Sequence, residues 1–208
     1  MKKIWLNIML CVVVALVAIA VVSMINRLRQ PATTTKAVVQ PIQPKPTVTT
    51  IAERTAIQRQ RDNQLYQSHQ KWVGTPWDFY GTSQVAGEGK IACGYFVTTT
   101  LEQSGMELDR VRLAQAASET MILEVADRES VRRYSDAPLD KVLSTIRKQG
   151  EGYYIVGLDD HTGFLKVSIE GAVVFIHSGP GKGVVIERPE DSHKLSSSRY
   201  RVTGKVIW

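Results

Sequence analysis

His161-Thr162-Gly163-Phe164-Leu165-Lys166-Val167-Ser168-Ile169-Glu170-Gly171-Ala172-Val173-Val174-Phe175-Ile176-His177 reads as two strands joined by a short turn. β-Branched and aromatic residues fill both halves, and Glu170-Gly171 separates them. Ile169-Glu170-Gly171 is read as a three-residue loop with Gly171 left-handed, the common three-residue solution. Ser168 then opposes Ala172, and His177 opposes Gly163. His161 lies two residues further along its strand, so both imidazoles project from one face as diagonal neighbours, with Cα atoms about 7–8 Å apart. Gly163, having no side chain, leaves room for His177 to lean across. A two-residue loop would instead put the histidines on opposite faces.

Strand signals continue on both sides of this hairpin. Residues 153–158, 163–169, 172–178, 183–188 and 200–207 are rich in β-branched and aromatic residues and separated by Gly, Pro, Asp or Ser. Upstream the signals are helical: 93 to about 105, 109 to about 126, and a third helix started by Ala137-Pro138-Leu139-Asp140 and stopped at Gly150. Helices followed by an antiparallel meander predict an α+β domain with a helix packed across a sheet. Residues 51–73 read as a polar helix whose modest apolar stripe is Ile51, Ala52, Ala56, Ile57 and Leu65. His69 lies on it among Gln and Ser residues and is read as solvated, with no role.

The helix predicted at residue 93 carries the chemistry, in Lys90-Ile91-Ala92-Cys93-Gly94-Tyr95-Phe96-Val97-Thr98-Thr99-Thr100-Leu101. Phe96, Val97 and Leu101 form a face to be buried, which would hold Cys93 at the helix tip. A thiol there faces unpaired backbone N–H groups and the positive end of the helix dipole, which favour the thiolate. Cys93 is therefore a candidate nucleophile, His161 its base and His177 the group that fixes the tautomer of His161. Asp159 or Asp160 is a less well placed alternative orienter. The competing reading is a buried structural cysteine beside two half-buried sheet histidines. His193 reads as exposed loop, and Arg110, Arg112, Arg132 and Arg133 as solvated helix charges.

These residues resemble the NlpC-type cell-wall cysteine peptidases over roughly residues 70–180. Gly74-Thr75-Pro76-Trp77-Asp78-Phe79-Tyr80-Gly81 is similar to the family's Gly-x-Pro-Tyr segment. Ala92-Cys93-Gly94-Tyr95-Phe96-Val97 is similar to its Asp-Cys-Ser-Gly-Phe-Val helix start, and His161-Thr162-Gly163-Phe164-Leu165 to its His-Val-Gly-Ile-Tyr strand. The resemblance implies a papain-like fold, cleavage of peptidoglycan stem peptides and a Cys93-His161-His177 triad. Ala92 and Gly94 stand where the family has Asp and Ser. The family tyrosine near the oxyanion site falls on Trp77, with Tyr80 or Asp78 as the alternative expected in its place. Trp77, Asp78, Tyr80 and Gly94 are thus the expected substrate-binding and oxyanion residues, together with the Cys93 backbone N–H. The long insertion between Gly105 and Glu151 is expected to shape the groove.

The chain of 208 residues, 43% hydrophobic and 22% charged, allows one domain of about 150 residues behind a membrane segment. Residues 4–25 are apolar apart from Asn7 and Ser23, about the length that crosses a bilayer. An uncleaved anchor over residues 1–30 is preferred to a cleaved signal peptide, and bulky Leu10 before Cys11 argues against lipidation. Residues 31–50, rich in Pro and Thr, read as a semi-rigid linker, leaving 51–208 as the catalytic domain. Flanking charges do not decide orientation. The triad reading places the domain on the extracytoplasmic side of a bacterial membrane, with peptidoglycan or another envelope peptide as its substrate. A net charge of +6 suits an anionic cell wall and equally nucleic acid or a membrane surface. Lys and Arg are scattered rather than grouped with exposed aromatics, which disfavours nucleic acid. No Gly-rich phosphate loop or paired Cys spacing is present, so no metal or cofactor is expected. The alternatives are an inactive anchored scaffold of the same fold and a thiol acyltransferase.

Overall fold

The computed structural model describes residues 51–208. The segments read as anchor (1–30) and linker (31–50), Cys11 included, lie outside the described residues. Among the described residues, no helix is long and apolar enough to cross a membrane. The elements run α1 (Ile51–Trp72), α2 (Cys93–Gln103), α3 (Arg110–Ala114), α4 (Ser118–Val125), β1 (Arg132–Ser135), α5 (Leu139–Lys148), β2 (Gly152–Leu158), β3 (Thr162–Val167), β4 (Val173–Gly179), β5 (Gly183–Glu187), α6 (His193–Ser197) and β6 (Tyr200–Lys205). The fold is α+β, built on one antiparallel sheet of order β1-β6-β2-β3-β4-β5.

Alternation along the strands divides the apolar residues between two faces. Tyr153, Ile155, Phe164, Ile176 and Val202 point to one side, where Leu65 and Trp72 of α1, Phe96 and Leu101 of α2, and Met121 and Ile122 of α4 cover them. Tyr154, Val156, Leu165, Val167 and Phe175 point to the other, under Leu143 and Ile146 of α5 and Leu195 of α6. The sheet is thereby buried on both sides, and every residue of β2 is buried.

The β3–β4 hairpin has the register read from its turn. Val167 pairs with Val173 and Phe164 with Ile176, the Ser168 N–H donates to Ala172 O at 2.9 Å, and Gly171 has φ 81°. The last strand departs from a meander: β6 returns to pair with β2 and β1 instead of extending the β5 edge.

Several expectations are corrected. Residues 109–126 form two helices, broken where Ala117 is extended (φ −57°, ψ 139°); no Gly or Pro announces the break. Arg132 and Arg133 lie in strand β1, not on a helix. Arg110 is buried. Its Nε donates to Thr99 Oγ1 at 2.7 Å, its Nη2 donates to Thr82 O at 2.7 Å, and its guanidinium lies over the Tyr95 ring. Ile51 and Ile57 are exposed, and α1 packs through Leu65, His69 and Trp72. His69 is fully buried against Phe96, Tyr153 and Phe164, with its Nε2 3.3 Å from Thr100 Oγ1. His193 is exposed but begins α6.

Candidate active site

The chain entering α2 is tied to the far strands before it reaches Cys93. Backbone bonds join Gly74 and Thr75 to Val184 on β5, Ile91 N–H to Pro76 O, and Ala92 N–H to Gly81 O. Ser178 of β4 donates to Ile91 O at 2.7 Å. The α2 tip is thus fixed beside the strand that carries His177. Ala92 offers no side-chain cap, so the first N–H groups of the helix are not consumed by one. Against the larger, raising effect of burial, the nearby N–H groups of Thr162 on β3, Gly94 and Cys93 itself lower the thiol pKa.

Cys93 and His161 line one groove of about 510 Å³, walled also by Ala114, Ser118, Glu119 and Tyr200. Part of the wall therefore comes from the insertion between Gly105 and Glu151. The groove is open to solvent at Glu119 and Asp160, whose carboxylates are engaged by Arg133 and Tyr200, and by Lys194, respectively. Asp159 accepts from the Arg199 and Tyr200 N–H groups and from Ser198, so it shapes a turn. A larger hollow of about 630 Å³ between α1 and the β3–β4 hairpin carries mixed charges and neither Cys93 nor His161.

The two histidines meet as diagonal neighbours. His161 Nε2 lies 2.8 Å from His177 Nδ1, with the rings perpendicular and 4.9 Å between centroids. A Cβ on Gly163 would come within 2.8 Å of His177 Cβ, so glycine provides the clearance. Phe175 stacks on the His177 ring at 4.3 Å. The sequence reading missed the next member: His177 Nε2 lies 3.0 Å from Glu187 Oε1, and Glu187 Oε2 accepts from Lys182 Nζ at 2.5 Å. The signal was present in the next hairpin, where pairing of Gly179 with Gly183 puts Glu187 opposite Phe175, hence diagonal to His177.

Electrostatics correct the expected thiolate. Burial pushes the Cys93 thiol above the ordinary cysteine value, and the three N–H groups offset this only in part. Burial, then the neighbouring His177 and Lys194, pushes His161 down to about 3. Burial also lowers His177, against the raising influence of Glu187. Cys93 and His161 therefore rest as thiol and neutral imidazole, because their desolvation outweighs the helix terminus.

The structure separates the remaining site residues. Gly94 lines the groove with Cys93; a Cβ there would lie 2.3 Å from Ala114 O, so α3 fills the space a side chain would need. Asp78 and Tyr80 line a different hollow, beside Gly81 and Lys90. Asp78 pairs with Lys90 at 3.2 Å and accepts from the Tyr80 N–H, and the Tyr80 ring is exposed against Phe79. Trp77 is half-buried, with its indole N–H buried and without a hydrogen-bond partner. None of these three lines the groove that holds Cys93. Among known proteins, no family model matches this chain and no curated sequence is similar to it.

Proposed function

We propose that the chain is a membrane-anchored cysteine hydrolase of papain-like, NlpC-type architecture that cleaves peptide or amide bonds of the bacterial envelope, with peptidoglycan stem peptides as substrate. The observation that carries this reading is that His161, bonded through its Nε2 to His177, lines the same groove as Cys93. Cys93 Sγ attacks the carbonyl carbon as its proton passes to His161 Nδ1, the ring nitrogen not engaged by His177. The tetrahedral intermediate collapses, the C–N bond breaks, and the leaving amine takes that proton. Water then attacks the thioester, its proton going to His161 and back to the departing sulfur. Because both groups rest neutral, proton transfer accompanies attack rather than preceding it. Backbone N–H groups of Cys93 and Gly94 supply oxyanion donors, and the crowding of Gly94 by Ala114 accounts for glycine where the family carries serine.

The resting thiol also favours one alternative, an inactive scaffold of the same fold. Digestion of purified peptidoglycan by the full chain in detergent, beside Cys93→Ala, separates the two. Stem-peptide fragments seen by mass spectrometry and absent with the variant are the expected result. Identical fragment patterns from both proteins, or none from either, would overturn the hydrolase.

A further inference from the structure

We propose that Glu187 is a positioning residue of this site: its carboxylate sets the direction of the His177–His161 hydrogen bonds and so leaves a lone pair, not a proton, on His161 Nδ1. The inference deepens the hydrolase reading and rests on Cys93 and His161 acting as nucleophile and base.

A histidine cannot orient another unless its own tautomer is fixed, because each neutral ring donates from one nitrogen and accepts at the other. Were His177 free to choose, a proton on its Nδ1 would be donated to His161 Nε2. The proton of His161 would then move to Nδ1, and the nitrogen left for the nucleophile would carry N–H in place of a lone pair. Glu187 removes that choice. Its side chain is only 9% exposed. Burial raises its carboxyl, but bonds from Lys182, His177 and Ser192 outweigh that and hold it below the usual glutamate range. An ionised carboxylate only accepts, so the 3.0 Å contact to His177 Nε2 requires the His177 proton on that nitrogen. His177 Nδ1 is then the acceptor, and the 2.8 Å contact to His161 requires the proton on His161 Nε2. Lys182, on the turn between β4 and β5, holds the second carboxylate oxygen at 2.5 Å and keeps Oε1 turned to the ring. Glutamine could not enforce this order, since its amide can present either a carbonyl or an N–H to His177.

The test uses the full chain labelled with ¹⁵N-histidine, side-chain NMR to assign tautomers, and the rate of Cys93 alkylation by iodoacetamide against pH. The wild type is expected to carry both histidine protons on Nε2. Glu187→Gln should mix the His177 tautomers and slow alkylation at neutral pH about 10- to 100-fold, within what a correctly protonated general base contributes, and Glu187→Asp should restore much of both. Should Glu187→Gln fail to fold, the wild-type spectrum still decides, since an Nδ1 proton on His161 overturns the proposal. So does a Glu187→Gln protein with unchanged tautomers and alkylation profile. Since neither readout uses peptidoglycan, the proposal stands if the tautomers respond as expected while no substrate is cut; only the hydrolase reading then fails.

Discussion

Cys93 is held between two opposing influences of similar origin, the exposed dipoles of a helix terminus and the loss of water that burial imposes. Burial prevails, which raises the thiol and lowers His161. The rate of Cys93 alkylation in the wild type should therefore climb steadily with pH past the ordinary cysteine range. Kinetics of iodoacetamide labelling between pH 5 and 10 check this; a flat plateau from pH 5 to 8 would mark a preformed ion pair and contradict it. It follows that slow labelling at neutral pH does not by itself diagnose a decayed site. A second consequence concerns His69, fully buried and pushed by desolvation, then by Lys166, down to about 3. His161 behaves alike. For both, the folded value lies below the unfolded one near 6.5, so the unfolded chain takes up protons that the folded chain refuses. Their contribution is fully present above pH 6.5 and is lost as pH falls towards 3, at about 1.4 kcal/mol per pH unit for each histidine. Thermal unfolding measured from pH 7.5 to 4 should show this decline, with the slope in His69→Leu shallower by about one proton.

Elements differed in how plainly they could be read, and the reason lies in what fixes each one. The β3–β4 hairpin was legible because a local turn sets its register: Gly171 at φ 81° is a short-range signal, and everything from Ser168 to His177 follows by counting. The break between α3 and α4 was not legible, because no Gly or Pro lies at residues 115–117 and periodicity alone favours one helix. Strand β1 escaped because its burial pattern leaves only Tyr134 buried and its pairing partner is β6, some seventy residues later. His69 was misread for a related reason: polar neighbours in sequence say nothing about the aromatic residues that reach it from β2, β3 and α2. Glu187 is legible by the same counting as His177, since pairing of Gly179 with Gly183 places it opposite Phe175. Contact between α2 and α3 was invisible in the sequence, yet it has a sharp consequence. With Ala114 O only 2.3 Å from where a Cβ would stand, Gly94→Ser should force α3 away from the groove wall and destabilise the protein by about 1–3 kcal/mol. Chemical denaturation of the full chain checks this; a midpoint unchanged from wild type would show that α3 yields freely and that glycine there is not required by packing.

The described domain is organised around strand β6. Strand β6 lies between β1 and β2 and pairs with both, so it joins β1 to the meander, and both apolar faces depend on its place in the sheet. Arg201 on this strand joins the sheet to the outer layer. It is 2% exposed, and its guanidinium donates to Leu195 O and Ser196 O in α6 and to Ala137 O ahead of α5. Those carbonyls sit at the helix end and the turn that cover the second core, where Leu195 packs with Leu143, Ile146 and Phe175. Phe175 in turn stacks on His177, so the layer that Arg201 secures backs directly onto the histidine pair. Replacing it with Met keeps most of the apolar stem but leaves three carbonyls without their donor, a loss of about 3 kcal/mol or more. For a domain of this size that corresponds to a fall of about 6–12 °C in Tm. Calorimetry on Arg201→Met should show one cooperative transition at the lower temperature, since one sheet is shared by both cores. A separate early transition, with near-ultraviolet signals of the β2–β5 aromatics intact, would instead mean that α5 and α6 melt away from a sheet that stands without them.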